Sequence, residues 1–134
     1  MSVLVDTSIW SRSLRKKDKS FAEEEILRQL VEDGIVKIIG PIRQEVLSGI
    51  SDWQQFHRLK KILAYFPDLV LETKDFEKAA EFFNLCRKKG IQGSHTDFLI
   101  CAVAVNYGLK IFTTDKDFKN YGKYIPIKLY SGEV

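Results

Sequence analysis

Val3-Leu4-Val5-Asp6-Thr7-Ser8-Ile9-Trp10 holds a strand, the end of that strand and the start of a helix. Val3-Leu4-Val5 is a short apolar run rich in β-branched residues, as expected of a strand buried on both faces. Asp6 stops it. Asp6-Thr7-Ser8 then offers side-chain oxygens to the first N–H groups of a helix carrying Ile9, Trp10 and Leu14. A buried strand that runs straight into a helix is the first unit of an α/β fold.

The remaining chain repeats that alternation. Ser20-Phe21-Ala22-Glu23 is a capping-box pattern, and Ile26, Leu27, Leu30 and Val31 follow at helical spacing up to Gly34. Val36 to Ile39 is the second strand. Gly40-Pro41 opens a helix with proline where its missing N–H costs least, carrying Ile42, Glu45 and Val46. Another helix is predicted from about Trp53 to Tyr65, closed by Pro67, with a short edge strand at Leu69 to Leu71. From Asp75 the positions Phe76, Ala79, Ala80, Phe83 and Cys86 make an amphipathic helix that Gly90 ends. Ser94 to Asp97 caps a further helix, and its run from Phe98 to Val105 is apolar almost all round, which predicts a central, buried position. Lys110 to Thr113 is the third strand and Ile125 to Leu129 the last. Strands separated by helices predict a three-layer α/β/α sandwich with a mostly parallel central sheet, one domain over 1–134.

Composition agrees. With 134 residues, 45% of them hydrophobic and 29% charged, the chain can bury one core and does not read as disordered. Its start lacks a basic signal-type segment, and no apolar run approaches the roughly 20 residues of a membrane helix. A soluble, cytoplasmic protein is expected. Cys86 and Cys101 lack a C-x-x-C neighbour and read as reduced, buried thiols, while His57 and His95 are isolated. The net charge of +3 is mild. Cations gather in three groups: Arg12, Arg15, Lys16 and Lys17; Arg58, Lys60 and Lys61; Arg87, Lys88 and Lys89. Alone, such groups are ordinary solvated faces.

The chemistry lies in the acids. Open α/β sheets bind ligands beyond the carboxyl ends of their strands. Asp6 follows the first strand there, and Asp115 follows Ile111-Phe112-Thr113-Thr114. Asp97 stands in the first turn of the apolar helix, and Glu45 on the helix after the second strand. Singly, each has an ordinary explanation as a cap or a solvated residue. Converging, they would not: two carboxylates about 4 Å apart repel by roughly 4 kcal/mol at an effective dielectric near 20. Protons or cations must offset that. Oxygen donors without cysteine or histidine suit Mg²⁺ or Mn²⁺. Such an ion allows phosphodiester hydrolysis without a protein nucleophile, which fits a chain with no Ser-His-Asp pattern.

Val3-Leu-Val-Asp6-Thr7-Ser8, Pro41-Ile-Arg-Gln-Glu45-Val-Leu-Ser-Gly49, Thr96-Asp97-Phe-Leu-Ile-Cys-Ala102 and Thr113-Thr-Asp115-Lys-Asp117-Phe118 resemble the four motifs of PIN-domain proteins. Their order and spacing resemble most the VapC-type toxins of toxin–antitoxin pairs, over essentially the whole chain. The resemblance implies a Mg²⁺- or Mn²⁺-dependent endoribonuclease, a homodimer, and a small cognate antitoxin whose C-terminal segment lies in a groove near the active site. It implies Asp6, Glu45, Asp97 and Asp115 as the acidic set, with Asp117 as auxiliary ligand or structural cap. Thr7 or Ser8, and Thr113, would orient those carboxylates. Cys101 and Val103 depart mildly from the alanine-rich helix usual in the family. RNA phosphates then need cations, and Arg12, Arg15 and Arg43 are the best placed. Trp10 and Trp53 are candidates for base stacking, core packing or partner contact. The segments 20–33 and 52–65 offer an apolar groove to a partner helix, or simply pack within the monomer.

Two other classes compete. A PIN nuclease of RNA maturation or structured-DNA cleavage would share the site without an antitoxin. A non-enzymatic α/β signalling module would need adjacent acids at the first strand end, where only Asp6 stands beside Thr7 and Ser8.

Overall fold

The computed structural model describes residues 2–15 and 22–131, the Arg15 side chain excepted. Lys16, Lys17 and the Ser20-Phe21 half of the predicted capping box lie outside the described residues. The three strands are β1 (Val3–Val5), β2 (Val36–Lys37) and β3 (Lys110–Phe112). They form a parallel sheet in the order β2-β1-β3. Val3 pairs with Val36 on one side and with Lys110 on the other, and Val5 pairs with Phe112. All three residues of β1 are buried, as a sheet covered on both faces requires.

Seven helices are seen among the described residues: α1 (Thr7–Arg15), α2 (Ala22–Glu32), α3 (Gly40–Leu47), α4 (Trp53–Leu63), α5 (Thr73–Lys88), α6 (His95–Tyr107) and α7 (Asp117–Tyr121). Helices α1 to α4 pack against one another as one group, and α5 with α6 as another. The α/β class and the parallel sheet are as the sequence predicts. Among the described residues no helix is long and apolar enough to cross a membrane.

The outer strands are shorter than predicted. Among the described residues, the sheet is extended only by two isolated bridges, Ile38–Asp68 next to β2 and Ile111–Leu129 on the outer side of β3. Chemistry explains the second case. Pro126 has no N–H to give, and Ile127 donates its own to the Ile125 carbonyl at 2.9 Å, a three-residue turn that takes the segment out of the sheet. Helix α6 matches its reading closely. Ser94 accepts the Asp97 N–H at 3.0 Å, Phe98 through Ala104 are buried without interruption, and Gly108 ends the helix at φ +67°, where glycine is unstrained.

Helix α5 begins at Thr73, two residues earlier than predicted, and Asp75 is fully buried in its first turn. Asp75 accepts the Glu72 N–H at 2.8 Å, the Asn106 amide at 2.8 Å and the Tyr107 hydroxyl at 2.9 Å. It therefore ties the start of α5 to the end of α6.

Candidate active site

Asp6 is positioned by the backbone on both sides. Its N–H donates to the Phe112 carbonyl at 2.9 Å, the last rung between β1 and β3, and its carbonyl accepts the N–H groups of Ile9 and Trp10 at the start of α1. The side chain is left at the carboxyl edge of the sheet, only 5% exposed. Ser8 donates to its Oδ2 at 2.9 Å and Thr113 to the same oxygen at 2.7 Å. Both hydroxyls also accept backbone N–H groups from the turn after β3: Thr114 on Ser8 at 3.2 Å, Asp115 on Thr113 at 2.9 Å. The two strand ends are thus locked together around one carboxylate. Hydroxyls of this kind fix a carboxylate's orientation.

Asp115 lies in that turn, and its Oδ1 accepts the Asp117 N–H at 2.9 Å, shaping the entry to α7. Asp117 itself is exposed. Asp97 reaches the same place from α6, and its Oδ2 accepts the hydroxyl of buried Tyr121 at 2.7 Å. Burial pushes the Asp97 carboxyl above the usual range, and the carboxylates of Asp6 and Asp115 push it further against the hydrogen bonds from Tyr121 and Ser94. Burial, followed by the bond to Asp97, likewise raises Tyr121, which stays a protonated donor. The Asp97 charge also adds to burial in raising the Cys101 thiol. Cys86 and Cys101 are both free and buried.

Glu45 stands apart from this group. It is exposed on α3, and its Oε1 accepts the Thr7 hydroxyl at 2.8 Å. Thr7, Glu45 and Thr96 line one polar cleft of about 520 Å³. Thr7 follows Asp6 and Thr96 precedes Asp97, so the cleft adjoins the other acids. Thr7 and Ser8 divide the orienting role, one on Glu45 and the other on Asp6.

Among the described residues no three acidic, histidine or cysteine side chains form a ready-made chelating group. The donors nonetheless suit a hard cation. They are carboxylate oxygens, and the anionic form of Asp97 is disfavoured by burial and further by two neighbouring carboxylates, a repulsion that a divalent ion would relieve.

The basic residues fare differently. Arg12 is exposed on α1 and pairs with Glu23 at 3.6 Å. The Arg15 side chain lies outside the described residues. Arg43 donates to Asp68 at 3.1 Å, to the Leu63 carbonyl at 2.8 Å and to the Phe66 carbonyl, so its guanidinium clamps α3 to the end of α4. His57 and His95 each stack on an aromatic ring, Trp53 and Phe83 respectively. No sequence motif points to Tyr121. Its one sequence signal is Gly93, where an added Cβ would fall 2.8 Å from Tyr121 Cζ and 2.9 Å from Phe98 Cε2; the glycine admits the ring beside Asp97.

Comparison with known proteins shows the family. Over 119 residues the chain is 34% identical to VapC ribonuclease Mb1587 of Mycobacterium bovis, covering 87% of this chain and 88% of that one. Ribonuclease VapC11 of Mycobacterium tuberculosis matches to the same extent. In fold, the chain resembles VapBC2 from Rickettsia felis, solved bound to a DNA fragment from its promoter, with a TM-score of 0.78 at 16% identity over 97% of this chain and 98% of that one. The family model for the PIN domain matches residues 3–124, from the first strand through the last helix, and with relatives aligned over most of its length the chain belongs to the PIN-domain family.

Proposed function

We propose that this protein is a Mg²⁺- or Mn²⁺-dependent endoribonuclease acting as the toxin of a VapBC-like toxin–antitoxin pair. The observation that supports it most is the convergence of Asp6 and Asp115 on Asp97, two strand ends and a helix start whose charges act on one another. Asp6, Asp97 and Asp115 would hold the ion, with Glu45 across the cleft and Asp117 at its margin. When bound, the ion would polarise a phosphoryl oxygen and activate water. The chain's own contribution is positional. Ser8 and Thr113 hold Asp6, Tyr121 holds Asp97, and Thr7 holds Glu45. Arg12, exposed on α1 beside its partner Glu23, would meet a flanking phosphate.

The names of the VapC relatives support RNA as substrate and a cognate antitoxin as partner. Self-association into a homodimer belongs to the same reading: Phe76 and Leu85 leave apolar surface on α5, and sedimentation of the purified chain tests it. The activity test is incubation with total RNA, with Mg²⁺, Mn²⁺ or chelator. Cleavage should require the metal and fall about a thousand-fold in Asp6→Ala and Asp97→Ala, a loss of about 4 kcal/mol of transition-state stabilisation. Cleavage that persists in chelator, or survives both substitutions, would sink the proposal.

A further inference from the structure

The two tryptophans take opposite positions. Trp10 is buried, edge-on to Phe66, whereas Trp53, at the first position of α4, is 71% exposed. The Trp53 ring stacks on Phe56 at 6.1 Å with an interplanar angle of 10°, and on His57 at 5.8 Å with 28°. An exposed indole held in place by two ring neighbours is a preformed flat platform.

The rest of the helix face is cationic. At 3.6 residues per turn, Trp53, His57, Lys60 and Lys61 fall on one side of α4, and all four are exposed. Leu59 and Leu63 take the opposite, buried side. No acidic residue occurs between Trp53 and Phe66, and among the described residues no carboxylate pairs with Arg58, Lys60 or Lys61. The N-cap Asp52 is occupied by the Gln54 N–H. The stripe thus reads aromatic, aromatic, cation, cation. Stacking rings beside unpaired cations form the chemistry that binds single-stranded nucleic acid, because every base has a π-face and every linkage a charge.

Its place in the fold suits the cleft. Helix α3, which carries Glu45, ends at Leu47, and α4 begins at Trp53, a connection that spans at most roughly 20 Å even when fully extended. Arg43 clamps the far end of α4 back onto α3, so the two helices form a hairpin with Trp53 at the Glu45 end.

We infer that the Trp53 face of α4 is an accessory binding surface for single-stranded RNA, with Trp53 stacking on an unpaired base outside the scissile linkage while Lys60 and Lys61 meet the phosphates beyond it. This deepens the ribonuclease reading and rests on it. The test uses the full-length chain. In the Asp6→Asn background, binding of a labelled single-stranded oligoadenylate should weaken about ten-fold in Trp53→Ala. Trp53→Phe should recover most of that loss, and Lys60→Glu/Lys61→Glu should weaken binding and flatten its salt dependence. Duplex RNA of equal length should not distinguish Trp53→Ala from the parent. In the active chain Trp53→Ala should raise KM and leave kcat and the melting temperature in place.

If the parent chain cleaves no RNA with either metal, the ribonuclease reading itself fails. If it cleaves and Trp53→Ala keeps its KM and oligoadenylate affinity, only the stacking surface is overturned. Loss of a protein partner in Trp53→Ala with RNA kinetics unchanged would overturn it too, by making the face a protein-docking one.

Discussion

Helix α6 has an aspartate at each end, and the two are built on opposite principles. At its C-terminal end Asp75, reaching over from α5, is fully buried and meets only neutral donors: a backbone N–H, an amide and a phenol. Burial alone would raise its carboxyl, but those three bonds and nearby Lys74 outweigh it, and the group ends below the usual carboxylate range. At the N-terminal end Asp97 lies above that range, because burial raises it and two neighbouring carboxylates add to the rise, while its hydrogen bonds from Tyr121 and Ser94 do not outweigh them. A carboxylate whose acceptors are filled by neutral donors is complete as it stands. One surrounded by like charge is complete only with a cation. The first arrangement holds a fold together, and the second is the one that the proposed Mg²⁺ or Mn²⁺ would complete.

That contrast breaks most sharply under substitution. Asp97→Asn should reduce metal-dependent cleavage about a thousand-fold while leaving thermal stability equal or higher, since it removes a charge from a repelling group. A large fall in melting temperature would show that Asp97 is structural after all. Asp75→Ala should do the reverse. It leaves the Asn106 and Tyr107 donors, both only partly buried, without their acceptor, at a cost of about 1 kcal/mol, with cleavage per folded molecule unchanged. Urea unfolding measures the first quantity and active-site-normalised rates the second.

Acid should expose the same distinction. Because the folded-state pKa of Asp75 is depressed, its stabilising contribution is complete above the ordinary carboxylate value near 4 and is lost as pH falls through the lower, folded value. The parent chain should therefore lose stability below about pH 4 more steeply than Asp75→Ala, and parallel pH–stability curves would refute this account. Metal probes the other end. Mn²⁺ at about a hundred times its dissociation constant should stabilise the parent by about 2.7 kcal/mol. It should stabilise Asp75→Ala as much, and Asp97→Asn far less; an equal shift in all three would move the ion elsewhere.

How much of this is legible in the chain depends on how local the cause is. Asp6 and Asp115 can be read because each ends an apolar run, and the end of a parallel strand is a defined place. Asp97 can be read from Ser94 three residues before it. Glu45 has no such local mark, and only the family motif points to it. Asp75 and Tyr121 are illegible for a different reason: their partners are 31 and 24 positions away, and packing alone decides them. The clamp made by Arg43 is hidden because the sequence does not say that the Leu63 and Phe66 carbonyls end up within its reach. Trp10 and Trp53 each have a large apolar neighbour one helical turn on, Leu14 and Phe56, and only the packed face tells core from surface. The segment Ile125 to Leu129 looks like a strand in sequence because its apolar run carries no mark of the Ile125–Ile127 turn.

Smaller effects should follow the hydroxyls. Ser8→Ala removes one of two donors to Asp6 Oδ2 and leaves Thr113 in place, so Mn²⁺ affinity should fall about ten-fold, the scale of a lost orienting partner. Isothermal titration measures this directly, and unchanged affinity would reduce the Ser8–Thr113 lock to a fold device.

The smallest expected effect discriminates most finely, because it concerns a residue that no motif announces. If Tyr121 acts on the site only by holding Asp97, then Tyr121→Phe, which removes the donor, should lower cleavage about five-fold. Gly93→Ala, whose new Cβ occupies the place of the ring, should cause a similar loss by displacing the same hydroxyl. Two changes that break one contact do not add. The double variant should therefore be no slower than the worse single one once rates are normalised to folded protein. Multiplying losses would mean that Gly93 and Tyr121 act separately, and the link from Gly93 through Tyr121 to Asp97 would be cut.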